Sequence, residues 1–244
     1  MTSAYHEPSL LRLRARLARA KCRLPDFDGP VCHLFRGYPA GEIAQTVRDR
    51  LAERGSPVTD PALLASTDPL AILRSPRGGL AAELQQTLAE AEETAVRSAE
   101  PTPPADVFIR AAAGSGRRLA VTRNNAPAAV RACLREHDLD DCFGGRIHGR
   151  SAVDAALLKP HPDCLLRAVD GLAVRPSECL MIGDPAGDAA AATAARCPSS
   201  ATPAAPTGWR GRERWTRTRW SSACGTWSPR SKAVEPPGRR PGPG

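Results

Sequence analysis

The sequence predicts an α/β fold: a Rossmann-like parallel sheet core with an inserted small helical domain. Three observations carry that expectation. Apolar runs at Leu119–Val121 and Cys179–Ile182 alternate with helical periods at Ala126–Glu136 and Asp163–Val169, which is the βαβ rhythm of a parallel sheet. Acids follow such runs, Asp26 and Asp28 after Leu24 and Asp184 after Ile182. The stretch 40–100 lacks strands and carries apolar residues every fourth position, at Ile43, Val47 and Leu51 and again at Leu80, Leu84 and Leu88, the stripe of amphipathic helices.

Taken in order, residues 1–23 alternate leucine and alanine with arginine, as in Leu11-Arg12-Leu13-Arg14. The alternation admits a basic amphipathic helix but suits neither helical nor clean strand periodicity, and the segment reads as a basic, disordered leader. The core begins with 24–39, where Leu24-Pro25-Asp26-Phe27-Asp28-Gly29 sets two carboxylates two residues apart before a glycine. If Asp26 ends a strand, both acids crowd the mouth of the sheet while Gly29 lets the backbone turn away. Pro25 has no amide for a ladder and weakens a central strand.

Leu34 to Pro39 is a turn-rich connector into the insert, 40–100. Gly41–Gly55 and Gly79–Arg97 read as its two longer helices, and Asp60-Pro61 and Asp68-Pro69 as starts of two short ones, acid then proline being a common opening. Glu100-Pro101-Thr102-Pro103-Pro104 leads back to the core, 101–196. There Val107–Ala113 reads as a helix ended by Gly114-Ser115-Gly116, and the strand to Thr122 follows.

With 244 residues the chain holds one sizeable domain or a core plus a smaller insert. No apolar run approaches the roughly 18 residues of a membrane span, and a cytoplasmic location is expected. The eight cysteines are scattered without a Cys-x-x-Cys pair, which argues against zinc and disulfides and for reduced, partly buried thiols. The net charge of +8 is distributed as +5 over 1–23, −4 over 24–206 and +7 over 207–244. Affinity for polyanions would therefore reside in the two ends.

Four stretches carry chemistry. Asp26-Phe27-Asp28-Gly29 alone is also the pattern of calcium loops and ordinary acidic turns. Three further stretches answer it in order: Val121-Thr122-Arg123-Asn124-Asn125, Lys159-Pro160-His161-Pro162, and Gly183-Asp184-Pro185-Ala186-Gly187-Asp188. As a set, across about Leu24 to Ala195, they resemble the four motifs of the haloacid dehalogenase-like hydrolase superfamily. Within it the chain looks like the phosphoglycolate-phosphatase branch, whose small helical cap the insert resembles.

The resemblance implies a magnesium-dependent hydrolase of small phosphate monoesters. Asp26 would be the nucleophile that forms an aspartyl-phosphate, and Asp28 the acid that protonates the leaving group and then activates water. Magnesium would be held by the Asp26 carboxylate, the Asp28 main-chain carbonyl and Asp184. Lys159 would neutralise charge on the nucleophile and the phosphoryl oxygens, held by Asp188. The resemblance puts Ser or Thr directly before Asn in the second motif, and here Arg123 separates Thr122 from Asn124. Either Thr122 donates its hydroxyl to phosphate, or the register puts Arg123 in that place. For Asp184 the alternative is a helix cap, for Lys159 a surface lysine, and for His161 a solvated loop residue.

Past Ala195 the texture changes. All four tryptophans lie beyond residue 208 and no hydrophobic period survives. The segment 197–244 reads as a disordered basic tail. Shifting the frame turns Cys197-Pro198-Ser199-Ser200-Ala201-Thr202 into a sequence compatible with Val-Pro-Val-Ile-Gly-Tyr, the apolar strand that the resemblance puts there, so the tail is also read as frame-shifted. Three functions remain open: a phosphatase acting on a small phosphorylated metabolite, a catalytically silent relative, and, least favoured, a nucleic-acid binder acting through the Arg/Trp tail.

Overall fold

The computed structural model describes residues 7–201 apart from 76, 77, 151–153 and 185. Helix α1 (Glu7–Arg19) leads into β1 (Cys22–Pro25), and a turn brings the chain to β2 (Cys32–His33). The insert follows as α2 (Ala40–Glu53), α3 (Pro61–Ala65), α4 (Pro69–Arg74) and α5 (Ala81–Val96). The short β3 (Glu100–Pro101) pairs antiparallel with β2 and closes the insert at its root. The rest of the core is α6 (Ala105–Gly114), β4 (Arg118–Leu119), β5 (Val121–Thr122), α7 (Pro127–Glu136), α8 (Asp140–Phe143), β6 (Ile147–His148), α9 (Asp163–Gly171), β7 (Cys179–Gly183), α10 (Gly187–Ala194) and β8 (Ser199–Ala201).

The strands β4, β1, β7 and β8 lie side by side in that order, all parallel, and β5 pairs parallel with β6. Only Ala120 separates β4 from β5, so the two ladders follow one another along one extended run. Pro25 accounts for the interruption. In a parallel ladder successive residues of a strand address opposite neighbours. Asp26 donates to Ile182 of β7 and Arg23 accepts from Ala120, so residue 25 faces β4 at the point where its pairing ends and offers it no amide. The proline is tolerated in a central strand because it is the last residue of β1.

Two apolar clusters sandwich the sheet. One joins Phe27, Ile109, Leu119, Val121, Val130 and Phe143; the other joins Leu24, Leu165, Ala168, Met181 and Ala191. The insert has its own cluster, in which Ile43, Val47 and Leu51 of α2 meet Ile72 of α4 and Leu84 and Leu88 of α5. The four-residue spacing that predicted these helices is the spacing of their buried faces. Asp60 and Asp68 each accept a hydrogen bond from the backbone amide two residues on, at 2.8 and 2.9 Å, and so cap α3 and α4.

Both ends depart from expectation. The leader, expected to be disordered, forms α1. Leu13, Leu17 and Ala20 make one stripe under the arginines, and they pack against Leu180 and Ile182 of β7. Local alternation masked this stripe, which has the three- and four-residue spacing of a helix face. Residues 199–201 of the expected disordered tail form β8 beside β7, and Arg16 of α1 donates to the Ser199 carbonyl at 2.5 Å. Backbone hydrogen bonds depend little on side-chain type, so a strand forms even from Ser-Ser-Ala. The remaining tail, with its tryptophans, most of the frame-shift reading and the nucleic-acid alternative, lies outside the described residues. No helix among the described residues is long and apolar enough to cross a membrane. The seven described cysteines are free, six of them buried.

Candidate active site

Because β1, β5 and β7 run parallel, their carboxyl ends share one edge of the sheet, the usual ligand edge of such folds. Asp26 follows β1, Thr122 ends β5, and Asp184 follows β7. After Asp28 the chain turns at Gly29, whose φ of +98° lies in the region that favours glycine. The Asp28 carboxylate accepts from the Leu34 amide at 3.1 Å, which fixes it on the far side of that turn.

Asp26 is held by two cations. Its Oδ1 accepts from Lys159 Nζ at 2.8 Å and its Oδ2 from Arg123 Nη1 at 2.8 Å. Burial opposes its ionisation, but Arg123 and Lys159 outweigh burial and hold the carboxyl below the usual carboxylate range. Lys159 Nζ also donates to Asp188 Oδ1 at 2.5 Å and to the Thr122 carbonyl at 2.9 Å. Burial works against the ammonium, yet Asp26 and Asp188 raise its pKa. Asp188 is pushed up to about 6, by burial first and by the Asp26 charge next.

Asp188 Oδ2 accepts from the Asp184 amide at 2.8 Å, and a Cβ on Gly183 would overlap this carboxylate. Glycine is required there by close approach. Asn124 grips the backbone of Lys159 from both sides, accepting from its amide at 2.8 Å and donating to its carbonyl at 3.3 Å. Asp26, Lys159, Asp188, Asn124, Arg123 and Asp28 are thus brought together as one network.

Thr122 and Asp184 are not brought into it in the expected way. The Thr122 hydroxyl is fully buried and donates to Met181 Sδ at 3.4 Å. Strand alternation turns Thr122 into the core and leaves Arg123, the next residue, to reach the edge. Of the two residues considered for this motif, Arg123 and not Thr122 reaches Asp26. The Asp184 carboxylate is exposed, and its Oδ1 accepts from the Ala186 and Gly187 amides at 2.7 and 2.8 Å, capping the turn into α10. His161 is exposed and its Nδ1 accepts from the Asp163 amide at 3.2 Å, a local turn.

Of the oxygens that the resemblance assigns to magnesium, the two of the Asp26 carboxylate are each engaged by a protein cation. Arg123 Nη2 also donates to Asp28 Oδ2 at 3.2 Å, so the guanidinium spans the two acids. Among the described residues no three His, Cys, Asp or Glu side chains cluster to hold a metal.

Three residues that sequence reasoning missed, Glu92, Arg150 and Arg74, support this network together with Asn125 of the second motif. Glu92 of α5, fully buried, accepts from Asn125 Nδ2 at 2.8 Å, from the Ala126 amide at 2.7 Å and from Arg150 at 2.9 Å. Asn125 in turn accepts from Arg123 Nε. Arg74 of α4 donates to the Lys159 carbonyl at 3.0 Å. A signal was present for Glu92: it lies four residues after Leu88 on the buried face of α5, and an acid there needs a partner. For Arg150 and Arg74 only the folded chain supplies the pairing.

The sequence profile described as haloacid dehalogenase-like hydrolase matches residues 26–196. No curated protein matches the chain by sequence. Among solved structures, CbbY from Rhodobacter sphaeroides in complex with phosphate is similar at TM-score 0.56 and 20% identity, over 80% of this chain and 90% of that one. A haloacid dehalogenase-like family hydrolase from Streptococcus pneumoniae is similar at TM-score 0.54 and 16% identity, over 75% and 85% of the two chains. At such identities the likeness is one of fold, in agreement with the α/β core described above. With the profile covering most of the chain and beginning at the acid that follows β1, the protein belongs to the haloacid dehalogenase-like hydrolases.

Proposed function

We propose that this hydrolase cleaves phosphate monoesters of small metabolites in the cytoplasm, with Asp26 as nucleophile. The observation that carries the reading is the Asp26 carboxylate at the end of β1, buried between Lys159 and Arg123 at 2.8 Å each. Two cations on one acid keep it ionised and leave lone pairs for attack. In the first step an Asp26 oxygen bonds to phosphorus, the ester P–O bond breaks, and Asp28 gives a proton to the departing alkoxide. In the second, Asp28 takes a proton from water, the resulting hydroxide attacks the acyl phosphate, and inorganic phosphate and the Asp26 carboxylate are released. Lys159 offsets the charge that builds on the phosphoryl oxygens, with Asp188 holding it in place. No step is assigned to magnesium, because both Asp26 oxygens already meet a protein cation.

The insert, residues 40–100, serves in this reading as a cap that selects the substrate. Arg74 and Glu92 support it, since both reach core residues that flank the site. The Arg123 clamp favours one alternative, a silent relative that binds phosphate without turnover. Hydrolysis of 4-nitrophenyl phosphate by the full chain, beside Asp26→Asn, tests both. Turnover by the parent that the variant lacks supports the hydrolase; equal background rates from two folded proteins would sink it and leave the silent reading.

A further inference from the structure

A counter-ion is needed wherever two acids and a phosphate dianion share a site, and here the chain supplies one. We infer that the Arg123 guanidinium, which bridges the Asp26 and Asp28 carboxylates, is a tethered cation that serves in place of a divalent ion, so that this site takes up a phosphate dianion without magnesium. The inference rests on the part of the proposed function that has Asp26 and Asp28 face a phosphate, whether or not they react with it.

Three observations support it. The guanidinium is fixed at three points: Nη1 on Asp26, Nη2 on Asp28 and Nε on Asn125. Asn125 is itself held by Glu92, which Arg150 neutralises with both side chains almost wholly buried. An arginine so braced is preorganised and loses little freedom when it meets an anion. Next, a guanidinium has five N–H groups, and these bonds use three, leaving two that carry no protein partner among the described residues. The Arg123 side chain is 16% exposed, so the guanidinium is not sealed off from solvent. Finally, Asp184, the remaining acid that a metal would need, is exposed, and its Oδ1 is taken up by two backbone amides.

The test uses the full-length chain and two probes. Manganese binding is followed by electron paramagnetic resonance, and inorganic phosphate binding by calorimetry in chelator and in magnesium. The expected results are no saturable manganese binding and phosphate affinities that agree within about twofold in the two buffers. Arg123→Ser should gain saturable manganese binding and lose about tenfold or more of its phosphate affinity in chelator, the loss expected of a charge-assisted pair. Saturable manganese binding by the parent chain, phosphate binding abolished by chelator, or no phosphate binding in either buffer would each overturn the inference. If Arg123→Ser fails to fold, the parent chain alone decides. Phosphate binding in chelator without ester hydrolysis would remove the hydrolase reading and leave this inference standing; hydrolysis that requires magnesium would do the reverse.

Discussion

Lys159 Nζ donates to Asp26 Oδ1 across 2.8 Å, and both side chains are almost wholly buried although the residues lie 133 positions apart in the chain. The pair ties the loop after α8 and β6 to the end of β1. Removing either partner would leave its mate charged in a dry site.

Lys159→Ala therefore leaves Asp26 and Asp188 without their ammonium. A loss of about 3–5 kcal/mol is expected, the usual result of breaking a buried pair. Urea unfolding of parent and variant at neutral pH measures it; a loss below about 1 kcal/mol would show that solvent reaches the pair.

The pH dependence of stability follows from Asp188. Its folded pKa of about 6 lies above the ordinary value near 4, so between those limits the folded state binds more protons than the unfolded one. This group's contribution to stability therefore falls as pH rises through the window. Asp26, held below the ordinary value, has the opposite sign: its contribution is present above the unfolded pKa and is lost as pH falls through the folded one. Asp188→Asn removes the first of these and keeps the second. Lowering the pH from about 6 to about 4 should make the parent gain stability relative to the variant, and thermal melts across that range would reveal a constant or reversed difference if the assignment is wrong.

Glu92 joins α5 of the insert to the core loop after β5, and its removal should be felt at both. Glu92→Ala leaves Arg150 buried and unpaired, for an expected loss of about 3–5 kcal/mol. Glu92→Leu with Arg150→Met removes both charges and should recover part of that loss. Melting temperatures of the three variants provide the check, and a double variant no better than the single one would contradict the pairing.

The sequence leaves Thr122 or Arg123 as the group that meets phosphate, and the Thr122 hydroxyl faces the Met181 sulfur. Thr122→Val should change kcat/KM for an aryl phosphate by less than about threefold and stability by about 1 kcal/mol or less, since only one weak hydrogen bond is lost. A drop of a hundredfold or more would return the hydroxyl to the site.

Much of this architecture was legible without coordinates, for a local reason. Helices α2 and α5 bury the faces that their four-residue spacing marks, Asp60 and Asp68 cap the short helices they precede, and Cys179–Ile182 is a run short and apolar enough to be a buried strand. Each signal lies within one or two turns of chain. The stripe of Leu13, Leu17 and Ala20 was equally local, but interleaved arginines hid it, and contact with Leu180 and Ile182 reveals its purpose.

By itself the sequence determined that Asp26, Lys159 and Asp188 belong to one site, since their types, order and surroundings formed a set. The tertiary structure decided how the site is charged. Whether Thr122 or Arg123 reaches the edge depends on which face of β5 meets the core, and whether Asp184 faces a ligand or the amides of Ala186 and Gly187 depends on the turn into α10. The span of Arg123 across Asp26 and Asp28 likewise exists only after β1 and β5 have come together. Order along the chain identifies chemical groups; the direction in which a side chain points is set by packing between segments far apart in sequence, and the electrostatics of this site follow from that direction.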